Sequence, residues 1–452
     1  MKTVSKTNRT LLIIGVMMAL VTLACAMGVS QPSDPVFIPP RLTEPPGALV
    51  EPTLAAEDAA LTPVAVAAVP ASLSNPAPAA SSSEENHRPP ILYYTQAGDT
   101  LPVVAVRFGV QLEEITSPEP LSTESLLHPD QLLIIPNRLM NTTSPNRLMP
   151  DSEVVFSPSA MDFDVEAFVQ EAGGYLSSYQ EWLGTTQWTS GSEVVYRVAI
   201  ENSINPRLLL ALLEFQSGWV YGQPANLALQ DYPLGKIDST VKGLYQQLTW
   251  AVNQLSVGYY GWREGYVTDI QFSDGATARL APELNAGTVA LQYYFSRVYD
   301  SQGWLQALDA RLGFPSLYEQ MFGNPWLRAV QVEPLYPPDL TQPNLALPFF
   351  FNQMWSFTGG PHGAWEHDGA RAALDFAPAA DHSGCYQSDA WTLASAPGLI
   401  VRSENGVVVI DLDGDGYEQT GWVLMYLHIS QKERIKKGTW VERGDLLGHG
   451  HF

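Results

Sequence analysis

Residues 398–411 read GLIVRSENGVVVID and carry two apolar runs that are separated by a short polar segment. Residues 422–427, with the sequence WVLMYL, form a third apolar run further along the chain. Short runs rich in Val and Ile, bounded by Gly and Asp clusters, are typical of β-strands. The pattern therefore predicts an antiparallel β-rich domain over residues 345–452.

The same part of the chain carries histidines and an aspartate in short motifs. His362 ends Gly-Gly-Pro-His, Asp375 lies in Ala-Leu-Asp-Phe, and His428 ends Tyr-Leu-His. His449 and His451 lie in the C-terminal sequence His-Gly-His-Phe. Neutral imidazoles and a carboxylate are the ligands that a catalytic zinc ion takes, with one position left for water. These residues therefore favour a zinc hydrolase.

The motifs resemble those of the lysostaphin-type peptidoglycan metallopeptidases. The resemblance implies that His362, Asp375 and His451 bind Zn²⁺. It also implies catalytic roles for His428 and His449, since near-neutral imidazoles suit proton transfer with an attacking water. The reaction that it implies is hydrolysis of peptide bonds in peptidoglycan.

Two departures from the family leave alternatives open. His362 and Asp375 are thirteen positions apart, which is a wider spacing than the family has, so His367 and Asp368 are rival ligands. The His-Gly-His-Phe motif stands at the end of the chain, without the continuation that follows it in the family. A compressed site, a truncated gene product and an inactive wall-binding or regulatory protein are therefore alternatives to a complete enzyme.

The composition limits the partners and the number of domains. A chain of 452 residues favours two or three domains over a single core. With 24 Lys+Arg against 47 Asp+Glu, the net charge of -23 makes nucleic acid a poor candidate partner. The two cysteines are Cys25 and Cys385, so no disulfide framework is expected within the body of the protein.

The N-terminal 90 residues have the composition of a targeting and tethering region. Residues 1–25 combine a positive start with an apolar run too short to span a bilayer, which is typical of an export signal. Thr22-Leu23-Ala24-Cys25 resembles a bacterial lipobox, so Cys25 is a candidate for lipid attachment, with a cleaved signal and an uncleaved anchor as alternatives. Each alternative predicts an extracytoplasmic protein that meets a membrane through its N-terminal segment only. Residues 26–90 are rich in Pro, Ala and Ser, which predicts a disordered linker.

Residues 91–138 contain a set of short motifs, which are Tyr94, Gly98-Asp99-Thr100-Leu101, Ala105, Phe108-Gly109-Val110 and Leu133-Ile134-Ile135-Pro136. In these motifs the segment resembles LysM, a small βααβ module that binds glycans containing N-acetylglucosamine. The resemblance implies peptidoglycan as the partner and Gly98, Asp99 and Thr100 as glycan-binding residues.

The middle of the chain has a helical pattern. Residues 139–162 are predicted to be a linker, and residues 163–335 show helix-like apolar spacing that predicts an all-α domain. Residues 205–219 are similar to the lysozyme-like lytic transglycosylases. Gln216 precedes Ser-Gly where that family has its general acid, and an amide does not donate and recover a proton as a carboxyl does. The similarity implies a lysozyme-like helical fold, with glycan cleavage by this domain, using Glu214, as an open alternative.

Asp411, Asp413 and Asp415 match the beginning of a calcium-binding loop. Strand-like flanks and the absence of the closing Glu favour a β-turn instead. The chain as a whole is therefore predicted to be a multidomain α+β protein, an exported bacterial cell-wall hydrolase with LysM, lysozyme-like and zinc endopeptidase domains.

Overall fold

The computed structural model describes residues 88–337, 340–363, 369–379 and 387–451. These residues lie in the unit Ser83–Phe452. The predicted export segment 1–25 with Cys25, and nearly all of the predicted linker 26–90, lie outside the described residues. In the part of the chain that is described, no helix combines the length and the apolar character needed to cross a bilayer.

A small N-terminal module is built from two strands and one helix. Strand β1 (Ile91–Tyr94) pairs with β2 (Leu132–Ile135) in an antiparallel ladder. Helix α1 (Leu101–Phe108) packs against this ladder and ends at Gly109, whose φ of 64° is the left-handed conformation that glycine adopts readily. The buried residues of the module are Tyr93, Leu101, Val104, Ala105, Phe108, Val110, Ile115, Leu127, Leu133 and Ile135.

The predicted second helix of this module is wrong. A single 3₁₀ turn, Leu112–Glu114, stands in its place, and residues 117–131 form bends, turns and irregular structure. Pro118 and Pro120 each lack a backbone N–H and restrict the residue before them, so a helix does not continue there. The LysM identity of residues 91–138 stays a prediction.

Helices around one apolar core form the central domain. They are α2 (Val165–Ala172), α3 (Tyr175–Ser178), α4 (Gly191–Glu201), α5 (Pro206–Ser217), α6 (Leu227–Asp231), α7 (Leu244–Glu264), α8 (Ala286–Val298), α9 (Ser301–Ala307), α10 (Phe314–Phe322) and α11 (Pro325–Val332). Helices α7 and α8 pack closely because Gly258 has no side chain, and a β-carbon there would lie 2.9 Å from Ala290 Cα.

The prediction that this domain is all-α is wrong. Strands β3 (Gln180–Leu183) and β4 (Gln187–Ser190) form an antiparallel hairpin, and so do β5 (Asp269–Gln271) and β6 (Thr277–Arg279). Each strand has only three or four residues, so neither hairpin produces a long alternating pattern in the sequence.

Much of the segment 139–162, predicted as a linker, belongs to the central domain. Met149 and Val154 are fully buried in its core. The Glu153 carboxylate accepts hydrogen bonds from the Tyr318 hydroxyl and the Arg328 guanidinium at 2.5 and 2.7 Å. The Pro- and Ser-rich composition suggested a spacer, whereas tertiary contacts fix the segment in place.

The C-terminal domain is made of antiparallel strands, which confirms its predicted class. Its strands are β7 (Trp355–His362), β8 (Ala373–Pro378), β9 (Gln387–Leu393), β10 (Gly398–Glu404), β11 (Val407–Asp411), β12 (Val423–Tyr426), β13 (Trp440–Val441) and β14 (Leu446–His451). The four-stranded sheet has the order β12-β11-β10-β13, while β7 pairs with β8 and β9 with β14. The mixture of helices and small antiparallel sheets also confirms the multidomain α+β class.

Candidate metal centre

The paired strands β7 and β8 bring His362 and Asp375 together. Gly359 pairs with Asp375 and His362 pairs with Ala373, and the register shifts between these two pairs. A shift of this kind re-aims the side chains that follow it. His362 Nε2 lies 2.8 Å from Asp375 Oδ2, although thirteen positions separate the residues. Two of the predicted ligands therefore meet at one point.

The segment that connects β7 to β8 contacts the central domain just before β8 begins. Arg371 Nε lies 3.3 Å from Glu264 Oε2 at the end of α7, and the Arg371 guanidinium lies 5.1 Å from the centre of the Tyr266 ring. These contacts hold the residues just before β8. The rival ligands His367 and Asp368 lie outside the described residues, so they stay open alternatives.

The His362 imidazole has an acceptor on each side. Its Nδ1 contacts the carbonyl oxygen of Gly363, and its Nε2 contacts the Asp375 carboxylate. The Gly363 carbonyl, and after it Asp375, raises the pKa of the His362 imidazole above its ordinary value.

This arrangement suits a cation. A neutral imidazole has a single N–H, and if Nδ1–H is donated to Gly363, lone pairs of His362 Nε2 and Asp375 Oδ2 face each other. A second proton or a metal ion between the two atoms removes that repulsion. Zinc accepts nitrogen and carboxylate ligands together, and a backbone carbonyl commonly holds the other nitrogen of a ligating histidine. The donor chemistry of the pair therefore fits zinc.

Gly359 keeps the space beside the pair open. A β-carbon at this position would lie 2.8 Å from Asp375 Oδ2 and 3.5 Å from His362 Nε2. The first distance is too short for ordinary van der Waals contact, so a larger residue would push the carboxylate away. The glycine of the Gly-Gly-Pro-His motif therefore has a steric role.

His449 is a buried imidazole on β14. It is 4 % exposed, its Nε2 lies 3.0 Å from Glu433 Oε2, and its ring centre lies 3.9 Å from that of Trp391. If Nε2 donates its proton to Glu433, Nδ1 carries a lone pair, and this atom has no hydrogen-bond partner among the described residues. Nδ1 is itself shielded from solvent, so Glu433 and Trp391 hold this imidazole inside the protein.

His428 lies beside the strand that carries His449. It follows β12, is exposed and has a φ of 59°. The next residue, Ile429, forms an antiparallel bridge with Gly450, which lies between the last two histidines. The backbone of His451 belongs to β14, but its side chain lies outside the described residues, so its role as third ligand stays a prediction.

An acidic turn offers a different group of ligands. In the described part of the chain, only Asp411, Asp413 and Asp415 place three possible metal-ligand atoms within 4.8 Å of one another. Asp411 is fully buried and its carboxylate accepts hydrogen bonds from the backbone N–H groups of Asp413 and Gly416. These are bonds between the backbone and a side chain, as in an Asx-turn, and they hold a bend after β11. The β-turn that the sequence favours stays a prediction.

Asp99 has a structural role within the small module. It is 2 % exposed, and its carboxylate accepts hydrogen bonds from the Tyr93 hydroxyl at 2.6 Å and from Arg107 Nη1 at 2.7 Å. Both carboxylate oxygens of Asp99 therefore have partners inside the protein.

The neighbouring residues face the central domain. Arg263 Nη2 donates to the carbonyl oxygen of Ala97 at 3.0 Å, and a β-carbon on Gly98 would overlap the Arg263 guanidinium. Thr100 precedes helix α1 in an extended conformation. Glycan binding by Gly98, Asp99 and Thr100 stays a prediction, on a surface that Arg263 partly covers.

Glu214 and Gln216 also have structural partners. Glu214 Oε2 accepts hydrogen bonds from the backbone N–H groups of Val220 and Tyr221 at 2.9 and 3.0 Å. Gln216 Oε1 accepts from the Tyr299 hydroxyl at 2.6 Å. The Glu214 carboxylate therefore stabilises the loop after α5, which is a structural role and not that of a general acid.

Two residues that lie beside His449 were not identified from the sequence. Glu433 and Trp391 contact its imidazole, yet they lie 16 and 58 positions away along the chain and belong to no motif. Only the pairing of β9 with β14 and the loop after β12 bring them together. No local sequence signal would have found them.

Residues 147–337 match the family described as LasA, N-terminal domain. LasA is a staphylolytic peptidase of the LytM family, so the match connects the chain with hydrolases related to peptidoglycan. The matched segment includes the central domain and also the buried residues around Met149 that were predicted to be a linker. No LysM, lysozyme-like or LytM domain is matched directly. The comparison with curated proteins gave no match, and neither did that with solved structures.

Proposed function

We propose that this chain is an exported bacterial cell-wall hydrolase, a zinc-dependent endopeptidase that cleaves peptide bonds of peptidoglycan. The observation that carries the proposal is the 2.8 Å approach of His362 Nε2 to Asp375 Oδ2 on paired strands. The match of residues 147–337 to the LasA N-terminal domain supports the choice of polymer.

The proposed ligands are His362, Asp375 and His451. A zinc ion held by them would polarise the scissile carbonyl and lower the pKa of a bound water. Gly363 fixes the orientation of His362 through Nδ1, and Gly359 leaves room for the Asp375 carboxylate.

Two further histidines would take part in proton transfer or in positioning the attacking water. We assign one of these roles to His449, whose imidazole is held through Nε2 by Glu433 and packs against Trp391. His428 is exposed and would orient the attacking water or stabilise the oxyanion.

The envelope location belongs to the same proposal. Residues 1–25 would direct export, with Cys25 as the site of lipid attachment if the signal is of the lipoprotein type. Residues 26–90 would extend the protein into the wall, and residues 91–138 would bind the glycan. The net charge of -23 suits this location and disfavours nucleic acid.

Metal analysis of the purified full chain tests the zinc centre. We expect about one zinc per chain in the wild type and a loss of zinc in His362→Ala and in Asp375→Ala. Asp389→Ala is a matched control, since Asp389 is an exposed carboxylate in β9, and it should keep the metal. His428→Ala should keep zinc and lose activity.

Digestion of purified sacculi, with the products assigned by mass, tests the reaction. Release of peptide cross-links, lost in His362→Ala, supports the endopeptidase. A metal-free wild type that binds sacculi without releasing fragments would overturn the proposal in favour of a non-catalytic wall-binding protein.

A further inference from the structure

A cavity of about 230 Å³ lies between the β3–β4 hairpin, helix α4 and the turn that joins β10 to β11. Trp188 and Tyr196 contribute aromatic surface to its lining, and Glu404 and Asn405 contribute polar groups from the opposite side. The proposed metal centre uses none of these residues. The volume is below the roughly 300–1,000 Å³ of pockets for drug-sized ligands, so it suits a single small ring.

The aromatic side of this cavity continues into an exposed tryptophan pair. Trp182 and Trp188 stand opposite each other in the β3–β4 ladder, with ring centres 5.9 Å apart and planes at 80°. The side chains are 58 % and 67 % exposed, respectively. Cross-strand aromatic contact stabilises a hairpin, but it does not require that two indoles present most of their surface to water.

The charges of the cavity disfavour an anionic ligand. Arg197 Nε lies 3.0 Å from Glu201 Oε1, and Arg402 makes two contacts with Glu418 at 2.7 and 2.9 Å. Both guanidinium groups of the lining are therefore neutralised. Glu404 adds an exposed negative charge, so a carboxylate or phosphate would meet repulsion.

We infer that this cavity and the Trp182–Trp188 pair form a binding site for an uncharged glycan, and specifically for an N-acetylhexosamine strand. The C–H face of a pyranose ring is apolar and packs on an indole, while its hydroxyl and acetamido groups need polar partners such as the Asn405 amide. The choice of N-acetylhexosamine rests on the proposed function. The site itself rests on the geometry of the cavity.

Titration of the full-length chain with N-acetylchitotetraose, followed by tryptophan fluorescence, tests this inference. The sugar contains no peptide bond, so binding is measured independently of zinc and of hydrolysis. Residues 91–138 contain no tryptophan, but Arg107 of this segment lies 4.7 Å from the centre of the Trp262 ring, so the Trp188 variant is needed to assign the signal to the hairpin. We expect roughly tenfold weaker binding in Trp188→Ala, a loss of about 1.4 kcal/mol that lies within the range of about 0.5–1.5 kcal/mol for aromatic contacts.

Asn405→Gly is the second variant, because Asn405 has a φ of 47°, which glycine tolerates. Asn405 lies in the turn between β10 and β11, away from the β3–β4 hairpin. The substitution should weaken binding several-fold without lowering the melting temperature. Asn352→Gly, with a φ of 67°, and Trp440→Ala, 53 % exposed in β13, are the matched controls and should bind as the wild type does.

The inference is overturned if the tetrasaccharide leaves the fluorescence unchanged, or if Asn405→Gly binds it like the wild type. It is also overturned if a peptidoglycan stem peptide binds in its place. If the tetrasaccharide binds and both variants weaken its binding, but the purified protein contains no zinc, the proposed endopeptidase function is contradicted and the glycan site is not.

Discussion

Gly359 lies directly opposite Asp375 in the β7–β8 ladder, and the gap where its side chain would be is occupied by the Asp375 carboxylate. The same gap borders His362 Nε2. A residue without a side chain is thus needed for the imidazole and the carboxylate to approach each other.

Gly359→Ala should weaken zinc binding. The new β-carbon would lie 2.8 Å from Asp375 Oδ2, so the carboxylate must move away from the proposed ion. Loss of a residue that only orients a ligand typically costs about 10–100-fold in metal affinity, so displacement of the proposed ligand Asp375 should cost at least as much. Competition titration with a zinc chelator measures the effect.

Gly184→Ala is the control for this experiment. No atom lies within 4 Å of the β-carbon that this change would introduce, and the residue is exposed in the β3–β4 turn. Equal zinc affinity in the two alanine variants would show that the space beside Asp375 has no role in binding metal.

The approach of His362 to Asp375 agrees with what the resemblance of their motifs to the lysostaphin-type peptidases implied. The apolar runs at 398–411 and 422–427 were predicted to form strands, and they form β10, β11 and β12. The strand prediction is local, since an apolar run involves only a few consecutive residues.

Features that depend on distant contacts could not be read from the sequence. Met149 is buried only because the central domain surrounds it, and its neighbours resemble a linker in composition. Glu433 reaches His449 only through the folded loop after β12.

Asp99→Ala should destabilise the small module strongly. The Asp99 carboxylate is the ion-pair partner of Arg107, and both side chains are 3 % exposed. Removing one partner of a buried pair leaves an uncompensated charge and typically costs about 3–5 kcal/mol. Hydrogen exchange of the amides in β1 and β2, followed by mass spectrometry, reports the loss.

Glu113→Ala provides the comparison within the same module. Glu113 is exposed in the 3₁₀ turn, so its removal should change the stability by no more than about 0.5 kcal/mol. If Asp99→Ala were as stable as Glu113→Ala and failed only to bind glycan, Asp99 would be a ligand-binding residue instead.

Glu214→Gln should leave sacculus digestion unchanged. The Glu214 carboxylate accepts two backbone N–H groups, and one amide oxygen can keep part of this interaction. We expect a loss of about 1 kcal/mol in stability and no change in products. Soluble sugar fragments that are released by the wild type and not by Glu214→Gln would identify the central domain as a glycosidase.

Glu181 and Glu193 should give opposite pH dependences of stability. Burial raises the pKa of the Glu181 carboxyl above its ordinary 4.5, although the Tyr245 backbone N–H and the Tyr179 hydroxyl oppose the shift. Hydrogen bonds from the Ser190 hydroxyl and backbone lower the pKa of Glu193.

The sign of each contribution follows from where the proton is bound more tightly. Folded Glu181 holds its proton more tightly than the unfolded chain, so its contribution is present below pH 4.5 and is lost as the pH rises through the raised pKa. Folded Glu193 holds its proton less tightly, so its contribution is present above pH 4.5 and is lost as the pH falls through the lowered pKa.

Replacement by Gln removes each titration while keeping a side chain of similar size. Relative to the wild type, Glu181→Gln should therefore gain stability as the pH rises above about 4.5, whereas Glu193→Gln should lose stability as the pH rises from about 3 to about 4.5. Urea midpoints measured across these ranges for the three proteins check the prediction. Parallel curves for both variants would mean that neither carboxylate changes its proton affinity on folding, and curves of the reverse order would contradict the environments described for Glu181 and Glu193.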